Sequence, residues 1–203
     1  MNANGDSYYS PDHKGESTYR DKASKFISLV FPVSTEAEAR EALAEVKKRF
    51  FDASHHCYAY CIGAGREVFR FNDDGEPSGS AGRPIYGQIL SKGLSDTLVV
   101  VIRYFGGTKL GIPGLIRAYR TAASEALENS GRKEKILLKN ISVRFGYEHM
   151  NEVMKISKAE KLEIISQESG DNCKMAFRVK ASREEIVTAR FRRISNIYIS
   201  VNV

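Results

Sequence analysis

The alternation of apolar and polar positions marks out short elements along the whole chain. Residues 25–32, Lys25-Phe-Ile-Ser-Leu-Val-Phe-Pro32, read as a strand ended by proline. The polar stretch before them, residues 1–21, is expected to form a loose arm. Thr35 and Glu38 have the spacing of a capping box. Behind them Ala39, Leu43, Val46 and Phe50 recur every three or four residues, as a one-sided helix requires. Residues 57–62 and 67–71 predict two strands around the turn Gly63-Ala-Gly65. A helix near residues 83–92, with Ser80 as its expected cap, leads to the wholly apolar run 98–102, the pattern of a strand covered on both faces. A glycine-rich stretch then opens a helix that carries Leu115, Tyr119, Ala122, Ala126 and Leu127 and stops at Gly131.

Beyond Gly131 the pattern is simpler. Residues 136–145 predict a strand, and Met150, Val153 and Met154 lie on a helix. Residues 162–167 and 174–180 form two strands separated by Ser-Gly-Asp-Asn. Ser182 and Glu185 repeat the capping-box spacing before a helix with Ile186, Val187, Phe191 and Ile194, and residues 197–203 close the chain as a strand. The order βαββαβ is the ferredoxin-like arrangement, a fold that serves many functions. The chain therefore divides into an arm (1–21), an α/β domain (22–131) and a ferredoxin-like domain (132–203), and its class is α+β.

With 203 residues, 42% of them hydrophobic and 28% charged, the chain is long enough for one large or two small cores and is not a disordered polymer. The run 98–102 is far short of the roughly 20 apolar residues of a membrane span, and the first residues lack a signal-peptide pattern, so a cytoplasmic protein with no membrane partner is expected. Three cysteines make no disulfide framework, and no CxxC pair suggests zinc. Charge separates the two domains. Residues 1–131 hold 16 cations and 16 anions, whereas residues 132–203 hold 15 against 9. The whole surplus of six thus lies in the last third, pointing to an anionic partner such as RNA if those cations share one surface, or to an ordinary solvated face if they do not.

Several groups could carry chemistry. Gly106, Gly107, Gly111 and Gly114, with Arg103 and Lys109 beside them, lie between a strand and a helix start, where backbone N–H groups can approach an anion. Tight crossover and close packing explain the same glycines, and neither GxGxxG nor GxxxxGK[ST] is present. Asp73, Asp74 and Glu76 offer carboxylates for a metal or for acid–base work, yet Asp-Gly followed by Pro is also common turn chemistry. In a strand His55 and Cys57 face one way and His56 the other, so a shared metal needs a third ligand that the sequence does not identify, and the roughly 6.6 Å between His55 and Cys57 is too long for a nucleophile pair's hydrogen bond. No full set of nucleophile, base and oxyanion donors can be assembled, so no catalytic residue, metal ligand or cofactor is assigned.

Four segments together resemble the IMPACT family, in particular its YigZ-like bacterial members: His55-His-Cys-Tyr-Ala-Tyr, Asp73-Asp-Gly-Glu-Pro-Ser-Gly-Ser-Ala-Gly-Arg-Pro84, Arg103-Tyr-Phe-Gly-Gly-Thr-Lys-Leu-Gly111 and Gly114-Leu-Ile-Arg-Ala-Tyr119. The resemblance implies an N-terminal domain of the left-handed βαβ type found in a small-subunit ribosomal protein and in domain IV of elongation factor G. It also implies a C-terminal domain like that factor's ferredoxin-like domains. Eukaryotic relatives regulate translation under amino-acid stress. The sequence departs from the family at Ile112-Pro113-Gly114, where a glycine pair is usual, and Pro113 removes a backbone donor.

These readings converge on a non-enzymatic factor associated with translation, with RNA, the ribosome or a translation-linked protein as partner. Its expected pocket comprises His56, Asp73, Asp74, Glu76, Arg103, Gly106, Gly107, Lys109, Gly111 and Arg117. Arg190, Arg192 and Arg193 are expected phosphate contacts. The alternatives are a small metal-dependent hydrolase using His55, His56 and the three carboxylates, and an anion or nucleotide sensor built on the glycine loop.

Overall fold

The computed structural model describes residues 6–170 and 172–202; the first five residues of the expected arm, Asp171 in the expected turn and Val203 in the last strand lie outside them. In chain order the first elements are β1 (Ser7–Ser10), β2 (Gly15–Asp21), β3 (Ser24–Pro32), α1 (Glu36–Arg49), β4 (His55–Ile62), β5 (Val68–Asn72), α2 (Gly82–Ser91), β6 (Thr97–Tyr104), α3 (Gly111–Asn129) and β7 (Lys133–Ile136). The elements divide between two units, residues 8–135 and residues 136–202 with Asp6 and Ser7.

In the first unit five strands form an antiparallel sheet in the order β2-β3-β6-β4-β5. β6 is buried from Thr97 to Arg103, as its unbroken apolar run predicts for a strand covered on both sides. The alternation of β3 and β4 decides which side chain meets which layer. Ile27, Leu29, Tyr60, Val100 and Ile102 pack with Ala39 and Val46 of α1. Phe26, Val30, Cys57, Ala59 and Val101 pack instead with Ile85 and Ile89 of α2 and Tyr119, Ala122 and Ala126 of α3. Each such fully buried aliphatic side chain contributes about 1.5–3 kcal/mol. The capping box forms: Thr35 Oγ1 accepts from the Glu38 N–H at 3.2 Å, and the Glu38 carboxylate accepts from the Ser34 N–H at 2.7 Å.

The N-terminal segment differs from its expectation. It is built into the fold as β1 and β2, with β2 the edge strand of the sheet and β1 paired to β7 in a two-stranded ribbon. Ser17 Oγ donates to Ala122 O of α3 at 2.9 Å, and Tyr19 packs its ring near Phe26. A half-exposed edge strand needs few apolar residues, so its polar composition resembles that of a loop.

The second unit contains β8 (Leu138–Gly146), α4 (Met150–Ala159), β9 (Glu163–Glu168), β10 (Asn172–Lys180), α5 (Glu184–Phe191) and β11 (Tyr198–Asn202). Its antiparallel sheet has the order β11-β8-β10-β9. One face, including Ile141, Val143, Phe145, Met175 and Phe177, packs on Val153 of α4 and on Val187 and Phe191 of α5. The predicted strand 136–145 is broken at Leu137, whose N–H donates to Asp6 O and whose carbonyl accepts from Ala181 N. The second capping box does not form. Ser182 instead gives its N–H and its hydroxyl to the Asp6 carboxylate, at 2.7 and 2.6 Å, and α5 starts without a side-chain cap. The class is mixed α and β with several sheets, and among the described residues no helix is long and apolar enough to cross a membrane.

Candidate functional site

At one end of the five-stranded sheet the turn after β5 folds under the first residues of β4. Asp73 is the anchor of that turn. Its Oδ1 accepts from the N–H groups of Ala81 and Gly82 at 3.0 and 2.8 Å, and its Oδ2 from Gly79 N at 2.9 Å. The Ala81 and Gly82 groups are donors at the start of α2 that lack helical partners, so Asp73 caps this helix from eight residues upstream, while the Gly79 bond ties the turn before it. Ser80 does not cap it; its hydroxyl donates to Pro77 O. Asp74 accepts the His56 N–H at 2.7 Å and pairs with Lys47 at 3.3 Å. Burial alone would raise the Asp74 carboxyl, but the His56 amide and the Lys47 charge outweigh it and hold the carboxyl below its ordinary value.

Glu76 reaches deepest. Its Oε1 accepts from Arg103 Nη1 at 2.6 Å and from the Tyr119 hydroxyl at 2.8 Å, and His55 Nε2 lies 3.9 Å away. Arg103 extends from β6 with its guanidinium near the rings of Phe26 and Phe105, 5.5 and 5.3 Å from their centroids, and Nη2 donates to Ser24 Oγ. Its Nε is buried without a partner. Cys57 Sγ bonds Asp73 O and the Tyr119 hydroxyl. Burial pushes the Cys57 thiol far above its ordinary value despite the Tyr119 bond, which keeps it a neutral thiol and a poor nucleophile. The Tyr119 hydroxyl is likewise held protonated, first by burial and then by Cys57 and Glu76.

Of the expected pocket, Asp73, Asp74, Glu76 and Arg103 therefore gather, with His55 joining them, as β4 alternation requires. His56 points to the other side of the strand, where Nε2 bonds Phe50 O at 2.9 Å, yet its Nδ1 lies 3.6 Å from Asp74 Oδ2, so it borders the cluster through Asp74. Gly106 sits beside the cluster through Ser24 Oγ. A Cβ on Gly106 would lie 2.0 Å from Ala23 O, so that glycine is required by close packing, whereas Gly107, at φ +85°, faces open space. Lys109 and Gly111 are exposed in the loop and first turn of α3, and Arg117 pairs with Asp21 at 3.3 Å, so these three stand outside the cluster. Pro113 occupies the first turn of α3, where a missing N–H costs the helix nothing but leaves one donor fewer for an anion. Every carboxylate of the turn is already bonded to the protein's own donors. Among the described residues, no three His, Cys, Asp or Glu side chains are placed to hold a metal ion, so the metal-dependent hydrolase has no ligand set there. Tyr119 and Ser24 read in the sequence as ordinary core and turn, and Cys57, weighed there beside His55, bonds Tyr119 and Asp73 O instead.

In the second unit the cations do not share one surface. Arg183 and Arg190 both pair with Glu160, whose side chain is buried, Lys139 pairs with Glu184, and Arg178 with Glu163. Arg190, an expected phosphate contact, is thus matched by an internal acid; Arg192 and Arg193 are exposed at the end of α5. Arg190 and Arg193 nonetheless line one shallow depression on the helical side, with Lys155, Ile156, Ile194 and the acid Glu152. The opposite side of this unit is an open sheet face. In register across it stand Tyr198, Arg144, Lys174 and Glu168, then Ser200, Ser142, Ala176 and Ser166, then Asn202, Asn140, Arg178 and Glu163.

Comparison with known proteins bears on the whole chain. A crystal structure of a hypothetical protein superimposes with a TM-score of 0.71 at 25% identity, covering 96% of both chains. IMPACT family member YvyE of Bacillus subtilis is 41% identical over 147 residues, 72% of this chain and 68% of its own. IMPACT family member YigZ of Escherichia coli is 33% identical over 131 residues, 64% of each chain. The Impact N-terminal domain matches residues 22–127, the stretch that holds all four resembling motifs and the buried Glu76–Arg103 pair. On that match, and on relatives of this identity, the chain belongs to the IMPACT family.

Proposed function

We propose that this protein is a non-enzymatic accessory factor of translation, acting in the cytoplasm and contacting RNA or the ribosome through its C-terminal unit. The observation that carries the reading is Arg144 beside Lys174 on the open sheet. They are register neighbours, both exposed, and among the described residues neither forms an ion pair. Adjacent cations attract a phosphate chain; Glu168 stands opposite Lys174 on β9 without forming an ion pair with it, and both cations belong to the part of the sequence that holds the whole charge surplus. The strand order β11-β8-β10-β9 in a βαββαβ chain supports reading this unit as ferredoxin-like, and family membership supports a first unit of the ribosomal-protein and elongation-factor domain IV type. The absence of catalysis is the reading of an N-terminal cluster whose carboxylates are engaged in holding a turn. Sedimentation of cell lysate through a sucrose gradient tests the reading: the protein is expected in ribosomal fractions at low salt and released at high salt. Its recovery only at the top of the gradient at every salt concentration would count against it.

A further inference from the structure

The open face of the second unit carries more than charge. Tyr198 is 75% exposed, an unusual placement for a large aromatic ring, and it heads the row that continues through Arg144 to Lys174. Adjacent strands are about 4.8 Å apart, so the ring and both cations fall within roughly 10 Å. The next row is small: Ser200, Ser142, Ala176 and Ser166. Short side chains beside a tall ring leave a trough of about 280 Å³ lined by Ser142, Arg144, Lys174, Tyr198, Ile199 and Ser200. The acids Glu168 and Glu163 lie on β9 at the far edge, opposite Lys174 and Arg178, so the acids flank the β9 side of the trough and leave its Tyr198–Arg144 side free of negative charge.

We infer that this trough is a seat for single-stranded RNA, with one base stacked on Tyr198 and the neighbouring phosphates held by Arg144 and Lys174. The inference rests on the RNA reading above and names its site. Stacking needs a base out of its duplex, and a ring exposed on a flat sheet supplies the platform while two cations follow the backbone. A protein partner would need an apolar centre, and apart from Tyr198 these three rows hold serines, asparagines, alanine and charges. In this seat the Ser142 and Ser200 hydroxyls of the trough lining serve as partners for a ribose 2′-hydroxyl, the group that separates RNA from DNA.

The test uses the full chain and a short single-stranded RNA containing 2-aminopurine, read by fluorescence quenching and by binding across a salt series. Tyr198→Ala is expected to weaken binding about tenfold and to abolish quenching. Tyr198→Phe keeps both. Arg144→Ala with Lys174→Ala lowers the slope of log K against log salt by about 1.4. Lys155→Ala with Arg193→Ala, on the helical side, changes neither. RNA of the same sequence in duplex form and single-stranded DNA bind more weakly. Wild-type binding that is indifferent to Tyr198→Ala, loss confined to the Lys155 and Arg193 variant, or equal affinity for DNA overturns the site while leaving RNA contact standing. No binding by any variant, at the lowest salt, removes the broader reading as well.

Discussion

Arg103 and Glu76 meet at 2.6 Å with side chains 6% and 3% exposed, a closed ion pair joining the end of β6 to the acidic turn after β5. Burial makes the pair worth little as a net gain, but each partner depends on the other for solvation. Glu76→Ala strands a buried guanidinium, and a loss of about 3–5 kcal/mol in urea unfolding is expected. A loss below 1 kcal/mol would mean that solvent reaches Arg103 freely.

Asp73 holds three N–H groups at the start of α2, so Asp73→Ala is expected to cost about 2 kcal/mol, toward the upper end for a helix cap. Ser80→Ala, at the residue the sequence nominates, is expected to cost less than half as much. Equilibrium denaturation of the two variants decides between them, and a larger cost at Ser80 would refute the capping assignment.

Asp74 gives the protein an acid-sensitive term. Its carboxyl lies below the ordinary 3.8 in the folded state because the His56 amide and Lys47 outweigh its burial. The stabilisation is fully present above the unfolded value and disappears as pH falls through the lower folded one. Melting curves from pH 7 to pH 3 should show Asp74→Asn less stable than wild type by a constant amount above pH of about 5, with the gap closing below about 4. A gap independent of pH throughout would deny the shift.

The glycine loop distinguishes two substitutions. Gly106→Ala drives a methyl into the Ala23 backbone and should unfold or severely destabilise the protein. Gly107→Ala meets only the left-handed backbone penalty, about 1–2 kcal/mol. Thermal melts of the pair check the order, and equal effects would show that Gly106 is not packed as described.

Legibility from sequence followed burial. The unbroken run 98–102 and the Thr35–Glu38 box dictate their structures locally, and both formed. The segment 1–21 did not announce itself, since an edge strand with one protected face shows only weak alternation. Ser182 was misread because a long-range carboxylate, Asp6, outcompetes the local capping geometry. The His55, Asp73, Asp74 and Glu76 cluster was visible as chemistry, but its use was not: only the fold reveals that Tyr119, forty-three residues beyond Glu76, completes it. Counting cations locates the charge surplus in the second unit and says nothing of which side chains are paired. Net charge is additive along a chain, whereas pairing, such as Arg190 with Glu160, depends on positions in space.

The most direct measurement is a filter-binding titration of the full chain against RNA, from low to physiological salt. The account predicts measurable affinity at low salt, falling linearly on a log–log plot by about 0.7 for each phosphate neutralised, and a shallower fall for the Arg144 and Lys174 double variant. Absence of RNA affinity at the lowest salt, or a slope untouched by that double variant, would contradict it.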